Sequence, residues 1–499
     1  MSRQLLRQLT TLGRLGTSKI LRYSIMGRVQ GSALLTQKRI NMKTIDCLLT
    51  PKIKSENVTF DTLIGYPLDC EKVICDENVV EISKEKIVIK GRGKDELYLG
   101  EGYVRQLSLI FNGSLPVCSF SFYSPSFKYR GFHIDCSRHF VSREELLRII
   151  DAMSLVGFNY FHWHLTDDQG WRFPVTGYDK LEEISSKRYI YDNNDQKHLH
   201  QGFYHREDLE YVNKYCKEKG ITVIPEIETP GHAEALIAAY PEFGCTGKKI
   251  EVQNNWGVFE NVMNPSSEEL WVFLDAAIKE LASIFDGPYI HIGGDECPHT
   301  QWEDHEGCKS IMRENGLSDT SELQGWFTSR VSGIVKKYGK RAIGWDEVVD
   351  APEIDKDVVV MSWRGLSGAR TASNRGHNVI LCPENGGCYF DRYPSREPWE
   401  LGNLSLSIPK DSYDLDISMK ELDEERRSLV LGAQCCIWGE KIHSGREMEF
   451  MLFPRAYILA ENLWLGEDRK DWEKMKDRKD VLALISYKMD LLCNPGKWE

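Results

Sequence analysis

Asp295 and Glu296 stand side by side at the end of an apolar run, YIHIGGDEC over 289–297, directly behind Gly293 and Gly294. Two carboxyl groups on one cleft can divide acid–base work: one gives a proton to a leaving oxygen while the other, ionised, steadies developing positive charge. Tyr289, Ile290 and Ile292 read as a buried parallel strand, and the glycines permit a sharp turn and the close approach of a ligand. Neighbouring side chains on a strand face opposite ways, so both acids reach one cleft only if the backbone bends there. A solvated Asp-Glu pair on an ordinary loop is the plain alternative.

The pattern of an apolar run ending in polar or aromatic residues recurs eight times: GFHIDCSR (131–138), YFHWHLTDD (160–168), TVIPEIE (222–228), 289–296, RAIGWDEV (341–348), VVVMSWRG (358–365), NVILCPE (378–384) and LVLGAQCCIWGE (429–440). Segments with helical spacing separate most of them, at Arg143–Leu155, Arg206–Lys219, Ser267–Ile284, Leu323–Tyr338 and Glu449–Leu463. Alternating strand and helix predicts a parallel sheet, and eight units predict a closed (β/α)8 TIM barrel in the α/β class. A doubly wound open sheet is the alternative, but no glycine-rich phosphate loop supports it. In a barrel the C-terminal strand ends build the site. We place there Arg130, Asp135, His162, His164, Asp167, Asp168, Glu226, Glu228, His232, Asp295, Glu296, Trp345, Trp363, Tyr389, Trp438 and Glu440.

The 499 residues suffice for such a barrel, assigned to 128–499, plus a small α+β domain at 45–127, where VVEISKEKIVIK alternates and a helix is expected over Tyr103–Phe111. A net charge of -12 disfavours nucleic acid and anionic membranes. No run of 18 apolar residues exists, so no membrane span is expected. Residues 1–44 form a separate basic segment with no acid before Asp46, read as a targeting segment or an upstream start, and expected to be disordered. Among 14 cysteines, Cys136, Cys435 and Cys436 read as buried thiols, while Cys382 with Cys388, or Cys70 with Cys75, could form local bridges. Sequons at Asn57, Asn112 and Asn403 lean toward a secretory route.

Four of the 13 tryptophans, Trp163, Trp345, Trp363 and Trp438, fall at strand ends among Asp, Glu and Arg. Sugars offer apolar C–H faces beside hydroxyls, and a saccharide pocket needs this mixture. His162 and His164, in HWH, suggest a rival metal-dependent amidohydrolase. That chemistry wants the HxH pair on the first strand and an Asp on the last; here the pair is on the second and the last ends in Glu440. The imidazoles are better read as orienting Asp and Glu. A non-catalytic sugar-binding barrel would keep the tryptophans and lose the acid.

Taken in order, YRGFHIDCSRHF, FHWHLTDDQGWR, PEIETPGHAEA, HIGGDE, GWDE and IWGE resemble the motif series of glycoside hydrolase family 20, the β-N-acetylhexosaminidases, from Arg130 to Trp464. The resemblance implies a retaining exo-glycosidase that removes terminal β-linked N-acetylglucosamine or N-acetylgalactosamine, with no metal and no cofactor. In this family the substrate's own 2-acetamido oxygen replaces a protein nucleophile. It further implies that Glu296, with a raised pKa, is the acid and base, that Asp295 holds the acetamido N–H, and that Tyr389 holds its carbonyl. Trp345, Trp363 and Trp438 would box its methyl group. Arg130 would bind the 3- and 4-hydroxyls, Glu440 the 4-hydroxyl and Asp391 the 4- or 6-hydroxyl. Asp167, Asp168, His232, Glu228 and His164 would orient the acid. A lysosomal or extracellular location and a homodimer are further expectations from the family. Asp391 predicts a preference for neutral over 6-sulfated sugars. The chain departs from the pattern in Glu228, where the family has Asp, in its short N-terminal domain, and in having no visible secretory signal.

Overall fold

The computed structural model describes residues 62–191, 196–351, 354–394 and 405–499. The expectations for residues 1–44 and for the sequons at Asn57 and Asn403 lie outside them. Ahead of the barrel, strands Cys70–Ile74, Ile87–Gly91, Val79–Ile82 and Cys118–Ser121 form one sheet in that spatial order. The helix expected over Tyr103–Phe111 runs instead over Lys94–Ile110. Gly100 and Gly102 interrupt its periodicity for a packing reason: a Cβ would meet Ile89 Cγ2 at 2.4 Å from the first and Leu155 O at 2.7 Å from the second. Close approach of helix to sheet and barrel requires glycine at both. Gln106 seals that junction by donating to Leu155 O at 2.8 Å.

Eight parallel strands, Tyr129–Asp135, Tyr160–His164, Thr222–Thr229, Tyr289–Gly293, Arg341–Trp345, Val359–Ser362, Val379–Leu381 and Val430–Ile437, close into a barrel in chain order. All eight coincide with the apolar runs read from sequence. Their β-branched and aromatic side chains suit strands buried on both faces. Register aligns polar side chains into a row near the C-terminal rim: Asp135 lies opposite His164, His164 opposite Glu226, and Glu226 opposite His291.

Helices Arg143–Leu155, Arg206–Glu218, Glu268–Ile284 and Thr320–Lys337 return the chain between strands. Ser142 and Glu145 form a capping box on the first, a device of about 1 kcal/mol. The helix read over Glu449–Leu463 is two, Gly445–Leu452 and Arg455–Leu465, because Pro454 has no N–H to continue the ladder. The thirteen described cysteines are all free, so neither Cys382 with Cys388 nor Cys70 with Cys75 is bridged. No described helix is long and apolar enough to cross a membrane.

Candidate active site

The fourth strand ends at Gly293, and the chain then turns through left-handed backbone: φ is 67° at Gly293, 109° at Gly294 and 45° at Glu296. A non-glycine residue in that region costs of order 1 kcal/mol and persists where surrounding structure holds it. The bend brings the two adjacent acids together. His232 Nε2 lies 3.5 Å from Asp295 Oδ2 and 3.6 Å from Glu296 Oε2. Their surroundings differ: the Asp295 side chain is 12% exposed and that of Glu296 42%.

The imidazole joining them is fixed from behind. Its Nδ1 lies 3.0 Å from Asp168 Oδ2 and 3.3 Å from Asp167 Oδ1. Burial opposes a charge on His232, but Asp167, Asp295 and Asp168 overcome it and hold the imidazolium well above the ordinary histidine range. The hydrogen bond from His232 in turn lowers the Glu296 carboxyl below the usual glutamate value, against a smaller push from burial. The raised pKa expected for Glu296 is therefore corrected for the empty site. Asp295 goes the other way, raised by burial although His232 pulls it down.

Asp295 and Glu296 open on a cavity of about 380 Å³ that Trp345, Trp363, Trp438, Tyr389, Asp391 and Glu440 also line. Trp363 lies parallel to Tyr389, with centroids 6.3 Å apart, and Trp438 stands 5.7 Å from Trp345 and 6.0 Å from Tyr389. Three buried carboxylate oxygens on these walls, Asp295 Oδ1, Asp391 Oδ1 and Glu440 Oε2, find no donor among the described residues. Buried acceptors of this kind call for a ligand that brings hydroxyl or amide hydrogens.

Arg130 is not among these groups. It sits at the N-terminal end of the first strand, 1% exposed, donating to Gly157 O, Phe127 O and Asp95 Oδ2 at 2.7–2.8 Å, with Trp464 stacked beneath it. It ties barrel to N-terminal domain, so its assignment to sugar hydroxyls is wrong. The cation in the cavity is Arg138, eight residues on in the same motif and past the other end of the strand. Its guanidinium lies 2.7 Å from Asp167 Oδ2 and 3.3 Å from Asp135 Oδ2, and faces the Trp438 ring at 5.1 Å. The strand-end rule itself was the signal that separates the two arginines.

His162 and His164 point into carboxylates. His162 Nε2 is 2.9 Å from Glu226 Oε2, and His164 reaches Glu228 Oε1 at 3.3 Å and Asp135 Oδ1 at 3.4 Å. Trp345 donates to Glu226 Oε1 at 2.9 Å, so this buried acid braces a cavity wall. Sets such as His133, His162 and Glu226 hold ligand atoms close enough for a metal, but Gln434 donates to His162 Nδ1 at 3.0 Å, which leaves the imidazole proton on Nε2, the atom that faces Glu226. Glu228 fits its extra methylene beside Gly293, where a Cβ would fall 1.9 Å from Glu228 Oε2. Burial, then Asp295 and Glu226, raise the Glu228 carboxyl well above the usual range. Further wall residues that were not assigned to the site from sequence are Trp256, Gly257 and Val258, from one loop, and Glu384, just after the seventh strand. Asp391, the carboxylate expected to disfavour 6-sulfated sugars, lines the cavity.

Comparison with known proteins agrees with this geometry. Residues 127–467 match the model described as "Glycosyl hydrolase family 20, catalytic domain". A beta-hexosaminidase of Porphyromonas gingivalis is 37% identical over 74% of this chain and 48% of its own length, and one of Akkermansia muciniphila is 31% identical over 73% and 75%. This chain thus spans about half of the former relative. A Vibrio harveyi exo beta-N-acetylglucosaminidase crystallised with N-acetylglucosamine superposes with a TM-score of 0.78 at 26% identity, covering 91% of this chain and 79% of that one. The chain belongs to glycosyl hydrolase family 20.

Proposed function

We propose that this chain is a β-N-acetylhexosaminidase that releases terminal β-linked N-acetylglucosamine or N-acetylgalactosamine with retention, through an oxazolinium intermediate formed by the substrate's own amide. The observation that carries the reading is one imidazole, His232, joined to two adjacent carboxyls that open on a tryptophan-walled cavity. With substrate assistance neither acid has to reach the anomeric carbon as a covalent nucleophile, so two adjacent carboxyls suffice. The relatives' printed names and the N-acetylglucosamine in the Vibrio harveyi crystal support the same sugar.

In this reading the acetamido oxygen attacks the anomeric carbon while Glu296 protonates the departing oxygen; Glu296 then takes a proton from water as the ring reopens. Asp295, buried, accepts the acetamido N–H and stabilises the positive charge that spreads over the forming ring. Tyr389 holds the acetamido carbonyl, and Trp345, Trp363 and Trp438 confine its methyl. Arg138, Asp391 and Glu440 take the sugar hydroxyls. Asp167, Asp168 and His232 orient Glu296 from behind, supported by His164 and Glu228.

The proton of the acid pair needs redistribution. In the empty site burial favours protonation of Asp295 and His232 favours ionisation of Glu296, the reverse of what the first step requires. Substrate reverses it: its N–H favours ionised Asp295, and the aglycone strips water from Glu296 and raises that carboxyl. The direct test compares 4-nitrophenyl glycosides that differ only at the 2-position. The N-acetyl substrate should turn over at least about 10³-fold faster than the 2-hydroxyl analogue, the scale of a well-placed intramolecular nucleophile. Equal rates would reject the reading.

A further inference from the structure

Behind the acid pair lies a second cavity, of about 300 Å³, lined by both Glu296 and Glu347. Glu347 belongs to the turn Asp346–Val349 after the fifth strand, and it has no role in the scheme above. Its Oε2 accepts the indole N–H of Trp363 at 2.9 Å. Trp363 is the wall parallel to Tyr389, so Glu347 grips from outside a ring that faces the sugar cavity from inside.

The charges around Glu347 do not balance. From its own turn come Asp346 and Asp350; from the segment after the sixth strand comes Arg364; from the end of the fourth strand come Asp295 and Glu296. The helix Thr320–Lys337 contributes only uncharged side chains, including Gln324 and Thr328, and His299 lies across the cavity. Arg364 is spent on the other two acids: its Nε lies 2.8 Å from Asp346 Oδ1 and 3.8 Å from Glu347 Oε1, and its Nη1 2.9 Å from Asp350 Oδ2. Asp346, its neighbour in the chain, is raised as well, chiefly by burial. Burial first, then the charge of Asp295, pushes the Glu347 carboxyl up to about 8, so the proton is kept there.

We propose that Glu347 is a positioning residue for the acetamido group: its carboxyl locks the Trp363 indole against the sugar. This rests on the hexosaminidase reading and names what fixes the tolerance of its pocket for the N-acyl group. With the indole unpinned, the wall yields and bulkier acyl groups enter.

The readout is the ratio of kcat/KM for N-acetyl over N-butyryl 4-nitrophenyl glucosaminides, a quantity that a loss of overall stability does not move. Glu347→Ala should lower that ratio about 10-fold, the worth of one well-made hydrogen bond, mainly through KM for the N-acetyl substrate. Glu347→Gln keeps a neutral acceptor for the indole and should hold the ratio and the activity within about 3-fold of the wild type. If Glu347→Ala does not fold, Glu347→Asp, which withdraws the acceptor by one methylene, should lower the ratio in its place. An unchanged ratio in Glu347→Ala or Glu347→Asp, or a Glu347→Gln enzyme as impaired as either, overturns the proposal while leaving the hexosaminidase reading intact. A wild type unable to cleave the N-acetyl substrate defeats both.

Discussion

Arg130, on the first strand, and Arg138, three residues past its end, come from one twelve-residue motif, both are buried, and both pair with aspartate, yet they sit at opposite ends of the barrel. At the N-terminal end Arg130 directs Nε, Nη1 and Nη2 to Gly157 O, Phe127 O and Asp95 Oδ2, so its guanidinium faces the domain junction and not the cavity. At the C-terminal end Arg138 shares its carboxylates with the network that holds His232 and still borders the cavity. Burial and ion pairing are thus equally compatible with scaffold and site. Position along the strand decides.

Breaking the site end most severely should be Glu296→Gln, which removes the transferable proton. Turnover of an N-acetylglucosaminide with a poor leaving group should fall by about 10³-fold or more, since that substrate depends fully on protonation, and unchanged turnover would end the assignment. The two arginines then give a paired test by steady-state kinetics and thermal unfolding. Arg138→Met should lower kcat/KM about 100-fold, as expected for loss of a charged donor in a dry site. Arg130→Met should leave kcat/KM alone and lower stability by about 2 kcal/mol, a figure moderated because Asp95 is 36% exposed. Exchanged outcomes would dissolve the contrast between the two ends. The smallest effect is in pH. Because His232 holds Glu296 below the usual glutamate value in the empty site, its protonated fraction, and with it kcat/KM, should fall as pH rises. Bound substrate raises that carboxyl, so the descending limb of kcat should lie at higher pH than that of kcat/KM; coincident limbs would show that substrate does not redistribute the proton.

The barrel was legible because each strand is a short apolar run that stops where chemistry starts, a pattern that periodicity and composition carry without tertiary information. Glu296 and Asp295 were legible for the same reason, aided by the glycines that mark the bend. What was hidden depends on contacts between distant segments. The helix expected from Tyr103 begins at Lys94, and within that added stretch Gly100 and Gly102 admit Ile89 and Leu155 by their lack of a side chain. Trp256 reaches the cavity from a loop that carries no periodic signal, whereas Glu384 closes the seventh apolar run and the strand-end rule could have found it. The lowered carboxyl of Glu296 follows from His232, 64 residues away in the chain, whose charge is set in turn by Asp167, Asp295 and Asp168. Local pattern finds the groups, but their charge states belong to the assembled network.

The longer acid at position 228 depends on its neighbour for room. Left-handed backbone already favours glycine at 293, before any question of room arises. Glu228 occupies the hollow which that choice happens to leave. The two positions are therefore coupled in one direction only: the backbone asks for glycine at 293 whatever acid stands at 228, whereas the glutamate shuts out any side chain opposite it.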